Sequence, residues 1–293
     1  MKNVRCLGVL LSFAVLVGSS VAAQSTTSPR DPNDPPALLV IYREEVKPGK
    51  GSAHSANEQA WAAAFAKGQA PVQWLGMTTI AGPSEAWFLS RYDSYAEFQK
   101  TEDAMEASAA LTVEQDKFST QDGDLLNRTS AIMARYQPAL SYQPRVVLPK
   151  MRYMQVDIVQ VRPGHGGDFT EAWRSIVAAH EKAKMNEHWA VYAVQGGMPA
   201  GTFLFLYPHT SLDALDTVQP MHTANEYRDA VGESGRARQN EIVRDGVAMQ
   251  QTLLFAFKPR MSLLSKDFIA QDPAFWTPKP ATAAAAKKPG EKQ

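Results

Sequence analysis

Two stretches of the chain, residues 38–46 and 153–161, alternate β-branched and other apolar residues with polar ones. Each stops at a Pro-Gly turn, Val46-Lys47-Pro48-Gly49 in the first and Val161-Arg162-Pro163-Gly164 in the second. Alternation closed by such a turn predicts a strand. After the second turn, Phe169, Ala172, Trp173, Ile176, Val177 and His180 recur at helical spacing. That spacing predicts an amphipathic helix, with Asp168 and Glu171 read as N-cap and N3 residues. The matching helix of the first half runs from about Ser52 to Lys67. Two alternating runs follow in each half, 73–80 with 86–92 and 189–195 with 202–207, joined by loops containing Gly and Pro. They predict hairpins. Helical zones come next, near 94–111 and 212–231, each with a further helical segment behind it. Last strands over 130–136 and 252–257 end just before proline.

The two halves share a register. At a spacing of 115 residues, Trp74 falls on Trp189, Gly82 on Gly197, Phe88 on Phe203, Leu89 on Leu204 and Tyr92 on Tyr207. A fixed offset across a turn, a tryptophan, a glycine and a strand pattern marks an internal repeat. The element order is then β-α-β-β-α-β twice, a ferredoxin-like arrangement of the α+β class. Each four-stranded sheet carries helices on one face and must cover the other. Two tandem repeats can do this for each other, as an intramolecular pseudo-dimeric α+β barrel with helices outside. The expected boundaries are residues 38–143 for the first repeat and 144–262 for the second. Residues 24–37 read as a disordered, proline-rich linker, and 263–293 as a tail that is low-complexity from 278.

An alternating strand ending in Pro-Gly, then a helix bearing a tryptophan, then a hairpin, resembles the dimeric α+β barrel superfamily. That superfamily includes the antibiotic-biosynthesis monooxygenase and NIPSNAP-type families. The resemblance covers roughly residues 38–260 and rests on VKPG with Trp61 and VRPG with Trp173. It implies a range that includes cofactor-free oxygenases, isomerases, haem enzymes and proteins without an established activity. Fold does not select among them. No complete catalytic signature of these families is present, so no family active site is carried over.

Composition narrows the chemistry. Lys2 and Arg5 precede an apolar stretch from Leu7 to Val17 and small residues through Ala23, the pattern of a signal peptide over 1–23. The expectation is cleavage near Ala23 and a secreted or periplasmic protein. The single cysteine, Cys6, lies in that segment. The remainder therefore cannot use disulfides, thiolate nucleophiles or cysteine-held metals. The chain carries 30 Lys and Arg against 30 Asp and Glu, with no basic stripe, which argues against a nucleic-acid partner. No later window offers the roughly 18 apolar residues of a membrane span, so stable membrane insertion is not expected. An oligomeric partner cannot be read from the sequence.

Comparing the halves points to candidate sites where they differ. On the first helix, His54, Glu58, Trp61 and Phe65 stand where the second half has Phe169, Trp173, Ile176 and His180. His54 and Glu58 are four residues apart, share one helix face and form a plausible proton-transfer unit, making them the candidate catalytic pair. If the helices slipped by three residues, the pair would face solvent as a surface ion pair. His180 on the apolar face is a candidate ligand residue, including for haem, against a plainer role at the edge of the core. His180-Glu181 is followed next by His188, so zinc-peptidase geometry is absent and no metal site is expected. Arg91 shares a strand face with Trp87, a guanidinium beside an aromatic wall that could hold an anion. No cofactor is called for. The leading reading is a protein that binds or transforms a small aromatic or carboxylated molecule in a pocket between sheet and helices of the first repeat. The alternative is a non-catalytic exported scaffold or interaction protein.

Overall fold

The two segments that end in Pro-Gly become the central strands β1 (Leu38–Val46) and β5 (Tyr153–Val161) of a computed structural model. It describes residues 31, 33–217 and 225–277. The segment read as a signal peptide and the low-complexity end from 278 lie outside the described residues. The turns behind both strands use glycine with positive φ, +77° at Gly49 and +88° at Gly164. A side chain is disfavoured there.

From β1 the chain passes through α1 (Gly51–Lys67), β2 (Leu75–Ala81), β3 (Glu85–Tyr92), α2 (Tyr95–Glu106), α3 (Ala109–Leu125) and β4 (Leu126–Tyr136). From β5 it passes through α4 (Gly166–Ala183), β6 (Ala190–Gly196), β7 (Thr202–His209), α5 (Asp213–Thr217), α6 (Asn225–Gly246) and β8 (Val247–Phe257). Among the described residues, eight antiparallel strands close into a barrel in the order β1-β3-β2-β8-β5-β7-β6-β4. The closing contacts are β2 with β8 and β4 with β6. Closure leaves no free sheet edge.

Strand alternation then sends buried side chains either into the barrel or outward beneath the helices. Leu39, Ile41, Met77, Trp87, Leu89, Val156, Ile158, Leu204 and Phe255 point into the barrel. Ala86 and Phe88 point outward, with Ala62 and Phe65 of α1. Val159, Val161 and Phe205 do the same beneath Phe169 and Ile176 of α4. Full burial of each large apolar side chain contributes about 1.5–3 kcal/mol.

The matched tryptophans are cross-locks. Trp74 Nε1 donates to the Met261 carbonyl, which follows β8, at 2.8 Å. Trp189 Nε1 donates to the Leu140 carbonyl, which follows β4, also at 2.8 Å. Ser262 and Ser141 hydroxyls accept from the backbone N–H groups of Gly76 and Val191.

Four expectations change. The spacing of 115 holds through β6 but not beyond it. β1 pairs Leu38 with Tyr92, whereas β5 pairs Tyr153 with His209, so the counterparts on β3 and β7 lie 117 apart. The loop over 197–201 is two residues longer than that over 82–84. Strand pairing thus sets Arg91 level with Pro208 and Tyr92 level with His209 rather than Tyr207. Secondly, α4 begins at Gly166 with His165 as N-cap and no side-chain cap bond, so Asp168 lies inside the first turn. Thirdly, β4 and β8 start several residues early, at Leu126 and Val247. Leu126 is buried and Val247 half-buried, but the residues that follow them, 127–129 and 248–250, are exposed and show no apolar alternation. Finally, the segment set apart as a tail from 263 forms α7 (Lys266–Ala270) and α8 (Pro273–Trp276). Phe268 and Trp276 join the barrel core, and Trp276 Nε1 donates to the Pro149 carbonyl at 2.8 Å.

Candidate functional site

The Pro-Gly turn sends α1 back along the outer face of β1, and α3 lies beside it. His54 and Glu58 project from α1 toward the sheet, only 1% and 4% exposed. The slipped alignment that would turn them to solvent is not what is found. Both α1 and α4 start 115 residues apart, so the pair stands in register with Phe169 and Trp173.

Three residues that the sequence comparison did not single out complete the cluster. Glu44, on the outward face of β1, brings its Oε2 to 2.8 Å from His54 Nε2. Glu58 Oε1 lies 3.8 Å from the same nitrogen. Asn57 Nδ2 donates to Asp122 Oδ1 of α3 at 2.8 Å and to the Phe118 carbonyl at 3.3 Å. Glu58 Oε1 and Asn57 Oδ1 are buried and accept no hydrogen bond. An offset of 115 puts Val159 opposite Glu44 and Ala172 opposite Asn57. The comparison that found His54 would thus have found these two, had it been carried along the strand and the whole helix. Asp122 has no such signal, because the helices before the last strands do not align at that offset.

Electrostatics mark the same place. Burial pushes the Glu58 carboxyl up to about 10, with the Glu44 and Asp122 carboxylates adding to the shift. Asp122 is pushed up to about 6, by burial first and then by Glu44, against the opposing hydrogen bond from Asn57 and the charge of His54. An imidazole among three carboxyl groups, one held protonated, has both a proton acceptor and a proton donor within reach.

The other sequence candidates do not join this cluster. Trp87 points into the barrel, on the opposite side of the sheet from His54, and its Nε1 donates to Glu85 Oε2 at 2.8 Å. Arg91 shares that inner face as expected, but its guanidinium donates to the backbone carbonyls of Asp34 and Asp31 (3.3 Å for Asp31), anchoring the segment before β1. A wall of Trp87 and Arg91 facing His54 is therefore not formed. His180, on α4, is fully buried, with Nδ1 2.8 Å from the Ile176 carbonyl and Nε2 3.2 Å from Glu187 Oε2. Its ring is walled by Trp189, Tyr227 and Tyr142 at centroid distances of 4.8, 5.0 and 5.2 Å. With both nitrogens engaged it is a packed core residue, and neither is directed at a haem or another ligand.

No protein-family model matches the chain, and no curated protein matches it. Solved structures do. A candidate monooxygenase of Fusobacterium nucleatum subsp. nucleatum aligns with a TM-score of 0.50 and 12% identity, covering 75% of this chain and 91% of that one. An anthrone oxidase-like protein aligns with a TM-score of 0.50 and 13% identity, covering 80% and 96%. A candidate chlorite dismutase aligns with a TM-score of 0.45 and 12% identity, covering 77% and 96%. The two alignments at 0.50 show a likeness of fold, a mixed α+β barrel. Among the described residues, no helix is long and apolar enough to cross a membrane.

Proposed function

We propose that the chain binds and transforms a small molecule by proton transfer in the layer between sheet and helices of its first half. His54 is the base, Glu44 orients its imidazole, and Glu58 is the neighbouring acid. One observation carries this reading. A buried imidazole sits between two carboxyl groups where the second half achieves the same fold with Val159, Phe169 and Trp173. Packing alone gives no reason to bury these groups, since unpaired buried polar groups cost stability. A purely structural scaffold has no use for them. The stack of Trp61 on Phe118, with centroids 5.6 Å apart, adjoins the cluster and favours a small aromatic substrate.

Replacing His54 by Ala is expected to leave a cooperative thermal transition and to lower turnover about 10²–10⁴-fold. The assay uses small aromatic and carboxylated compounds on which the wild type acts, with chelator in excess. Turnover equal to wild type would remove the reading.

The proposal also takes the halves as tandem copies, supported by the offset of 115 that relates Val46 to Val161 and Trp74 to Trp189 and by the mirrored docking of the two tryptophans. It takes the leader over 1–23 as directing export, supported by its charged start, apolar stretch and small residues. N-terminal sequencing of the protein recovered from outside the cytoplasm should begin at Gln24. A chain recovered there with Met1 intact would contradict processing.

A further inference from the structure

We infer that Glu44, His54 and Glu58 form a binding site for one divalent transition-metal cation of the manganese, iron or zinc kind. The inference deepens the proton-transfer reading: it shares the premise that this cluster is the functional site and names what else the site takes.

The geometry comes first. One donor atom from each of the three residues can be chosen so that all lie within 4.8 Å of one another. Two of the separations, 2.8 and 3.8 Å, are measured from His54 Nε2 to the two glutamates. A cation with bonds of about 2.0–2.2 Å needs neighbouring donors roughly 3–3.6 Å apart, which small side-chain rotations supply. The donors also stand on rigid elements. His54 and Glu58 are one helical turn apart on α1, and Glu44 is on a central strand of a closed barrel.

Charge and hydrogen bonding give a second line. Two carboxylates and a neutral imidazole around a dication sum to zero, the condition under which buried ionic groups are tolerated. Independently, Glu58 Oε1 is buried without a hydrogen-bond partner and lies among the other donors. Asn57 Oδ1, on the next residue along, is also buried without one. A cation satisfies the glutamate oxygen directly. The second half has Val159 and Phe169 buried and Trp173 partly buried at the corresponding positions, so the fold itself does not require these donors.

The donor set chooses the ion. One imidazole with two carboxylates suits manganese, iron or zinc better than calcium or magnesium, which favour oxygen alone, or copper(I), which favours sulfur. The side chain of Glu44 is 12% exposed against 2% for His54, so the ion would arrive from the Glu44 side.

A cation held by Nε2, Glu44 and Glu58 displaces the Nε2 proton by which Glu44 orients the imidazole and takes the carboxyl group that serves as acid. Metal-loaded and proton-transferring protein are therefore alternative states of one site, and each is tested without the other. The full chain, stripped by chelator and then freed of it, is titrated with Mn²⁺ and separately with Zn²⁺ by calorimetry, with no substrate present. The expected result is saturable binding of one equivalent. Glu44→Gln and Glu58→Gln are each expected to weaken it by more than about tenfold, with circular dichroism matching wild type. A flat titration of the wild type overturns the inference, as does wild-type affinity in Glu58→Gln, which would assign the ion to another place. Neither result touches turnover of the His54→Ala protein measured in chelator, so the two readings fail separately.

Discussion

Glu58→Gln is expected to make the metal-free protein more stable, by up to about 3 kcal/mol at pH 7. Glu58 lies at the junction of α1, β1 and α3, faced by His54 on its own helix, Glu44 on the strand and Asp122 on α3. Burial, reinforced by the two neighbouring carboxylates, lifts its folded pKa from 4.5 to about 10. Below pH 4.5 both folded and unfolded chains hold the proton, and the group costs nothing. Above it, the unfolded chain releases a proton that the folded one retains. Stability then falls by about 1.4 kcal/mol per pH unit until the folded group also ionises. Between 4.5 and 7 this amounts to about 3 kcal/mol, and the figure holds for any folded pKa above 7. Glutamine keeps the shape and has no proton to retain. Asp122, raised to about 6, adds a loss of the same sign at lower pH, which the substitution leaves in place. Urea unfolding with chelator at pH 5, 7 and 9 reads both effects. The variant should gain most over wild type at pH 9 and little at pH 5. A variant less stable than wild type at pH 7, or one with an unchanged slope between 7 and 9, refutes the assignment of a protonated Glu58.

What the sequence revealed and what it hid follow from the same property of strands. Alternation located β1, β5 and both hairpins, because each strand has a face pointing into the barrel. It could not reveal that the loop over 197–201 is longer by two, since a shift of two residues leaves every side chain on its face. That is why Phe88 falls on Phe203 at the sequence offset of 115, while strand pairing sets it level with Phe205. Alternation also fails to say which face is which when both are buried. β3 is buried along nearly its whole length, with Trp87 inside the barrel and Phe88 under α1. The shared face of Trp87 and Arg91 is therefore legible, but not that it is the face turned away from His54. Glu44 was missed because Glu44-Glu45 at the end of a strand reads as a solvated tip. α7 and α8, of five and four residues, are too short to leave a helical period at all. His54 and Glu58 were legible because two helices of the same chain, starting in register, disagree about polarity at matching positions.

Glu85 tests the opposite consequence of burying a glutamate, and Glu85→Ala is expected to destabilise the protein by about 3–5 kcal/mol. Glu85 is 4% exposed and points into the barrel from β3. Its two oxygens accept from Arg43 Nε at 2.8 Å, Arg43 Nη2 at 2.5 Å and Trp87 Nε1 at 2.8 Å, and the guanidinium lies 5.5 Å from the centre of the Trp87 ring. Every bond is charge-assisted, and the geometry is the bidentate one that arginine offers a carboxylate. Removing the carboxylate leaves Arg43 as an uncompensated charge at the inner wall and Trp87 with an unmet donor. The Arg43 side chain keeps 16% exposure, which places the expected loss at the lower end of the range. Replacing both members with apolar residues, Arg43→Met with Glu85→Leu, should recover most of that loss, because neither orphan then remains. Urea unfolding of the two single variants and the double variant closes the cycle. A Glu85→Ala protein within about 1 kcal/mol of wild type would show that solvent already reaches the pair. The two glutamates lie on opposite faces of one sheet and are equally buried, so burial alone cannot give them opposite effects. The difference lies in partners: Glu85 has a full set, and Glu58 has an oxygen with none, which is the mark of a group retained for something other than the fold.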